Sequence, residues 1–405
     1  MKTLMLTGLL ALATPGVAAQ ETTDAAPEPD FGAFRAAFRI DAVAAGIAPD
    51  LYDREMASVE PLPVVTKSND NQPEFVRPVW AYIDGATSEA RLRGGRAGAE
   101  DARAELAAAA ERYGVAPEVL VAIWGMESSY GRFMGDHDVL SALSTLAYQG
   151  RRQDFGRTQL IAALRILQEG YATREQLKGS WAGAMGQTQF IPTTYLSAAV
   201  DADGDGDRDI WGDRGDVFAS TANYLAESGW TEGLPWGFEV RLPEGFDYAL
   251  ADRSVRRSAG DWSVLGVEAA DGALSDRLDL NARASVILPA GARGPAFLVT
   301  DNFRAILRYN TAPSYALGVG LLSDAVAGRP FALAQDWPRE DRPLTRDERK
   351  ALQQALTDQG YAPGPVDGIV GAGTRRALRA YQRDRGLPAD GYASAAMLQR
   401  LTSEG

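Results

Sequence analysis

The stretch from Ile123 to Gly131 sets a single carboxylate, Glu127, after an apolar run and before a small polar turn that closes on glycine. Pro117 opens the helix that carries it, since proline suits a first helical turn. Val119, Leu120, Ile123, Trp124 and Met126 leave this helix little polar face, so burial nearly all round is expected. A carboxylate at the end of such a helix is partly desolvated and lies near the negative end of the helix dipole, and both effects raise its pKa. A general acid working near neutral pH needs that shift. A plain surface glutamate would satisfy this stretch alone, so the next hundred residues carry the decision.

Between two apolar helical patterns lie Arg151 and Arg152, which could reach a substrate carboxylate or stay solvated. Lys178 to Pro192 comes next, where repeated glycines and small residues surround Trp181, Met185 and two glutamines. Helix propensity would not select this composition; close backbone approach to a ligand would, with Ser180 and Gln189 as hydrogen-bond partners. Asp201, Asp203 and Asp205 then occupy positions 1, 3 and 5 of a calcium-type loop, with Gly206 at position 6 and Asp207 at 7. Position 12 is Gly212 where that pattern has glutamate, so a later carboxylate must close the shell, and Asp216 is the candidate. An acidic surface turn is the alternative, but alternating aspartates without a cation repel one another.

The 405 residues allow two or three domains, and the formal net charge of −13 with no basic stripe argues against a nucleic-acid binder. With no cysteine and one histidine, His137, thiol catalysis, zinc–thiolate sites and His-rich metal sites are excluded. Residues 1–19 read as a cleaved secretory signal: Lys2, an apolar run from Leu4 to Leu12, then Val17, Ala18 and Ala19 at the cut. That run is too short to span a bilayer and no second one comes after it, so an exported form without a transmembrane segment is expected.

The elements that must position these groups are mainly helical. After a lead-in over 20–30, Phe34, Phe38, Ile40 and Val43 predict an apolar helix face stopped by Gly46, and Pro49 starts a second helix. Val79 to Tyr82 predicts another, as does Glu100 to Tyr113, closed by Gly114. Leu140 to Ala147, Thr158 to Leu167 and Val217 to Ser228 extend the helical pattern. From about 231 to 297, short alternating segments such as Phe238 to Leu242 predict a small β-rich insertion. Helix returns over Asp301 to Asn310 and from Ser314 to about Val326, which puts Tyr309, Asn310 and Tyr315 at helix junctions. Residues 334–344 read as a linker, and 345–405 as a three-helix unit with an internal near-repeat: Asp367-Gly368 with Thr374 and Leu378 echoes Asp390-Gly391 with Ser394 and Leu398, each hydroxyl as an N-cap.

Met126 to Gly131, Gly179 to Pro192, the Asp201 loop, and Arg308-Tyr309-Asn310 with Ser314-Tyr315 together resemble the lytic murein transglycosylase B family over residues 31–333. Gly364 to Gly368 and Tyr381-Gln382 resemble the peptidoglycan-binding type 1 module. The resemblance implies a lysozyme-like helical catalytic core and an exported, periplasmic carbon–oxygen lyase. Such an enzyme acts on peptidoglycan glycan strands, breaking the β-1,4 bond between N-acetylmuramic acid and N-acetylglucosamine without water and leaving 1,6-anhydromuramic ends. Glu127 is then the one acid and afterwards the base, and Tyr82, Arg152, Ser180, Met185, Gln189, Tyr224, Tyr309, Asn310 and Tyr315 fall where the family lines its saccharide cleft. No organic cofactor is implied. A structural Ca2+ would sit on Asp201, Asp203, Asp205, Asp207 and Asp216, and cell-wall synthesis or division proteins are conceivable partners. Two other readings remain open: a hydrolytic muramidase helped by Asp136 or Asp138, and an inactive wall-binding scaffold.

Overall fold

The computed structural model describes residues 30–70, 77–329 and 333–403. The expected signal segment, the lead-in up to residue 29 and residues 71–76 lie outside them. The chain divides into two compact units, one drawn from Met1–Gln72 and Glu89–Glu227, the other from Pro73–Ser88 and Ser228–Gly405. This boundary cuts through the region 31–333 that the motifs marked out as one.

The first unit is helical. Helix α1 (Phe31–Ala44) buries Phe34, Phe38 and Ala42, an i, i+4 stripe that packs with α2 (Pro49–Met56). Ile40 is 73% exposed and Val43 37%, which corrects the expected face: at about 100° per residue both fall off the line set by Phe34 and Phe38. Helix α3 (Pro63–Asp70) belongs to the same unit and packs on the helix that begins at Val139, and α4 (Val79–Ala86) belongs to the second unit. The alanine-rich helix expected over Glu100 to Tyr113 is α6 (Arg103–Tyr113), parted at Ala102 from α5 (Glu89–Asp101), which was not expected; α6 stops at Gly114 in the left-handed conformation.

Helix α7 (Pro117–Ser128) starts on its proline and is buried from Val119 to Ser128, as its composition predicts. It packs against α5, α6 and α11 (Arg214–Glu227), while α8 (Val139–Tyr148) and α10 (Pro192–Ala198) pack on α9 (Gln153–Gln168), which starts before the expected Thr158. Asp138 caps α8 by accepting from the Ser141 amide at 2.7 Å. Two short strands, β1 (His137–Asp138) and β2 (Lys178–Gly179), pair antiparallel with His137 opposite Gly179. That pairing ties the loop after α7 to the glycine-rich segment.

The second unit holds the β-rich insertion, an antiparallel sheet of β3 (Gly237–Arg241), β4 (Arg257–Ser258), β5 (Glu268–Ala269), β6 (Arg283–Ile287) and β7 (Ala296–Val299) in the order β4-β6-β7-β3-β5. Phe238, Val240, Val286 and Leu298 from its strands pack on Trp262 of α12 (Ala259–Val264). Helices α13 (Asp301–Tyr309) and α14 (Pro313–Val326) come after the sheet, and α14 packs on α4. The segment 334–344 is bound down rather than loose. Trp337 stacks on Phe297 at 6.4 Å between centroids, Arg339 grips Asp84 through two bonds of 2.7 and 2.9 Å, and Asp341 and Leu344 are buried.

Helices α15 (Arg346–Asp358), α16 (Ala372–Asp384) and α17 (Ala395–Ser403) enclose a small core of Leu352, Leu356, Leu378, Tyr381 and Leu401. The near-repeat is real at the level of hydrogen bonds. Gln353 spans the first Asp-Gly turn, taking the Gly368 amide at 2.8 Å and donating to Asp367 at 3.2 Å; Gln382 does the same for Gly391 and Asp390 at 2.8 and 2.6 Å. Ser394 accepts from the Met397 amide as the repeat predicts, but Thr374 is no cap: it lies inside α16, buried, and donates to Pro363 O.

Helix α15 carries a capping box, with Thr345 accepting from the Glu348 amide and Glu348 from the Thr345 amide. Thr345→Ala should cost about 1 kcal/mol in urea unfolding of the full chain. Arg342, with the Thr345 amide, pulls Glu348 from 4.5 down to about 2. Because the folded value is the lower one, this contribution is complete above pH 4.5 and is lost as pH falls towards 2, and Glu348→Gln should flatten that part of the stability profile.

Candidate active site

Glu127 lies in the last turn of α7 and is 7% exposed, so the acid singled out by its motif is held largely out of water. The turn immediately after it adopts a costly backbone conformation. Ser129 (φ 52°), Tyr130 (φ 65°) and Gln189 (φ 55°) are the non-glycine residues with positive φ among the described ones, and all three fall in the two motif segments. Left-handed backbone at a residue with a side chain is uncommon and persists only where its surroundings enforce it, which marks functional segments more often than idle loops.

The surroundings that enforce it are visible. The Ser129 amide donates to Gly125 O at 3.2 Å, the Tyr130 amide to Trp124 O at 3.3 Å, and the Phe133 amide to Ser128 O at 2.9 Å, so the freed carbonyls at the helix end are reused at once. Ser128 Oγ accepts from the Gly131 amide at 2.8 Å. Tyr130 stands edge-on to Trp124 and donates its hydroxyl to Arg91 O at 2.6 Å; burial pushes its pKa up to about 12. Arg91, itself buried on α5, returns a bond to Gly125 O at 3.1 Å.

A side-chain tie joins the two motifs. Trp124 Nε1 donates to Gln187 Oε1 at 2.8 Å, Gln187 Nε2 donates to Trp211 O at 2.9 Å, and the Gln187 amide to Ile210 O at 2.9 Å. Arg91, Tyr130 and Gln187 were not singled out by sequence reasoning. Tyr130 and Gln187 lay inside quoted motifs, but nothing in spacing tells a bracing residue from a contacting one, and Arg91 carried no signal.

Ser180 accepts from the Ala182 and Ala184 amides at 3.3 and 3.1 Å, which leaves its O–H as the group it can offer a ligand. Gln189 donates to Met134 O and Gly186 O, both at 2.9 Å, which leaves its amide oxygen. Met185 is fully buried, and its amide donates to Phe190 O at 2.8 Å. Tyr224 on α11 packs against Phe190 at 6.0 Å. Arg152 lies over the Phe155 ring at 4.2 Å, its Nε buried without a partner, and burial lowers its pKa. In the second unit, Tyr82 lies on α4, and Tyr309 at the end of α13 stacks on the buried Tyr315 at 6.5 Å, nearly parallel; Asn310 accepts from the Ala312 amide at 3.0 Å.

The acidic loop gathers part of its expected set. Asp201, Asp203 and Asp205 bring one carboxylate oxygen each within 4.8 Å of the others. Asp201 accepts from the Gly204 and Gly206 amides at 2.6 and 3.0 Å, bonds that hold its pKa down, and Gly206 at φ 104° supplies the turn expected of position 6. Asp207 and Asp216 do not join the cluster of carboxylates. Asp216, buried, instead ties the loop's two ends, accepting from the Ala202 and Asp209 amides at 2.7 Å each, and burial raises its pKa to about 6. Oxygen donors at close range on a turn of this kind suit a hard cation such as calcium.

Residues 30–324 match the family described as Transglycosylase SLT domain, and residues 345–401 match the peptidoglycan binding domain family. The chain is 35% identical over 222 residues to membrane-bound lytic murein transglycosylase B of Escherichia coli, a match over 53% of this chain and 58% of that protein. The chain thus spans less than two thirds of that relative. It is 52% identical to SltB3 from Pseudomonas aeruginosa, whose crystal structure in complex with NAG-anhNAM-pentapeptide superposes with a TM-score of 0.88 over 92% of this chain and all of that one. The E. coli lytic transglycosylase Slt35 in complex with calcium is 28% identical, with a TM-score of 0.62 over 75% of this chain and 94% of its own. A buried acid on a strained helix end, a braced glycine-rich wall and these matches together place the chain in the SLT-domain transglycosylase family.

Proposed function

We propose that this protein is a peptidoglycan lytic transglycosylase that cleaves the β-1,4 bond between N-acetylmuramic acid and N-acetylglucosamine without water and leaves a 1,6-anhydromuramic end. Glu127 gives its proton to the departing glycosidic oxygen. The muramoyl C6 hydroxyl then bonds to C1 and its proton returns to the Glu127 carboxylate, so the acid is regenerated and nothing is hydrolysed. Dipoles around the site, with the N-acetyl group, stabilise the positive charge that develops at C1.

The observation that supports this reading is the burial of Glu127 on the end of α7, together with what the two aspartates nearest in sequence are doing. Hydrolytic glycosidases ordinarily set two carboxylates about the bond. Of the two nearby candidates, Asp138 is engaged in capping α8 and in an ion pair with Arg174 at 2.9 Å, and the Asp136 side chain is 97% exposed. One aspartate already engaged and the other facing solvent favour the sugar's own hydroxyl as nucleophile over a muramidase helped by either. Ser180, Gln189, Arg152 and Tyr224 of the first unit are proposed to contact the saccharide, with Met185 behind them; Tyr82, Tyr309 and Asn310 of the second unit are proposed contacts from the family resemblance alone, with the buried Tyr315 supporting Tyr309. Residues 345–401 are proposed to hold the wall polymer.

Asp201, Asp203 and Asp205, with the Asp207 carbonyl, would hold a structural calcium, and Asp216 fixes the loop through its amide bonds. When bound, the ion neutralises the crowded carboxylates and stiffens the turn; it takes no part in bond cleavage. We further propose export to the periplasm through residues 1–19. No helix among the described residues is long and apolar enough to cross a membrane.

Glu127→Gln keeps the shape and removes the proton, so clearing of purified sacculi should slow by about a thousandfold with unfolding temperature unchanged. Asp136→Asn should stay within about twofold of wild type; a loss matching that of Glu127→Gln would favour the hydrolytic reading. Calcium at about a hundred times its Kd should stabilise the chelator-treated protein by about 2.7 kcal/mol, seen as a raised Tm, and Asp203→Asn should abolish the rise.

A further inference from the structure

Phe133 is 70% exposed, and it is the aromatic member of the exposed large apolar side chains among the described residues. An exposed ring on a mobile loop would mean little, but this loop is stapled on both sides. The Phe133 amide is bonded to Ser128 O at 2.9 Å, next to Glu127; the next residue, Met134, gives its carbonyl to Gln189 Nε2 at 2.9 Å. Gly135, at φ 88°, lies so close to the backbone of Gly179 and Ser180 that any side chain there would collide with it. The ring is thus carried on a rigid span that bridges the end of the acid-bearing helix and the wall formed by Ser180 and Gln189.

We infer that Phe133 is a stacking platform for the apolar face of one sugar ring of the glycan strand, and so sets substrate affinity beside the cleavage point. The inference rests on the proposed function. A pyranose presents a face of C–H bonds that suits the electron-rich face of an aromatic ring. The size of the feature favours this occupant: one ring beside the exposed Arg132 and Asp136 is far short of the roughly 1,000 Å² a specific protein interface needs. Because the backbone is already fixed, the ring loses little freedom when a sugar settles on it. Phe133 touches no reacting atom in this scheme, so it acts on binding and not on proton transfer.

The test uses the full-length protein and soluble glycan strands freed of stem peptide, with KM and kcat measured separately. Phe133→Ala should raise KM about tenfold while kcat stays within about twofold, and Phe133→Trp should restore KM. Unfolding temperature should not move, since the ring is exposed. An unchanged KM for Phe133→Ala, or a raised KM that tryptophan does not rescue, would overturn the platform. Wild-type protein that leaves both these strands and intact sacculi uncut would instead overturn the proposed function, and strands that resist while sacculi are cut move the same KM comparison to strands carrying their stem peptides, so the two failures are told apart.

Discussion

A carboxylate closed off from solvent at the end of a helix imposes a condition on everything near it: each backbone group that the helix end releases must find a partner, and the chain must leave without exposing the acid. Glu127 and the turn behind it meet that condition by a tight left-handed reversal through Ser129 and Tyr130. The reversal is held by Arg91 and Tyr130 from one side and by the Trp124–Gln187 bond from the other. Such residues cost on the order of 1–3 kcal/mol each in backbone strain, and the unbroken burial of α7 is what can bear it.

The same bracing explains why the glycine-rich segment has its composition. Gln187 and Gln189 look alike in the sequence, yet the first is spent on structure, joining Trp124 to Trp211 O, whereas the second keeps its amide oxygen available while its nitrogen secures the loop after α7. Gly179, ahead of both, takes part in the β1–β2 pairing and lets the loop after α7 approach closely at Gly135. A wall built this way is stiff on both faces, which fits a site whose proposed chemistry depends on one proton moving between fixed positions.

Much of this was legible in residue order. Pro117 and the apolar run gave α7 and its burial; the alternating segments gave the sheet; the two Asp-Gly turns gave the near-repeat, though not the glutamines that bridge each turn. Periodicity misjudged α1 because Ile40 and Val43 are apolar yet off the stripe, and hydrophobicity alone carries no direction. Thr374 looked like a cap because the turn before it resembles that before Ser394, but α16 begins earlier and buries the hydroxyl. The acidic loop was read in full as ligands, while the fold uses Asp216 to clamp the loop's ends, a role set by two amides that no spacing rule names. Contacts that join distant segments are where one-dimensional reasoning stops.

The proposed chemistry stands or falls on whether the sugar's own hydroxyl completes the reaction. High-resolution mass spectrometry of muropeptides released from sacculi in water enriched in oxygen-18 tests this most directly. Products with a muramoyl end lighter by one water and carrying no label are predicted. Reducing ends that carry oxygen-18 would contradict the claim and leave Glu127 the acid of a hydrolase.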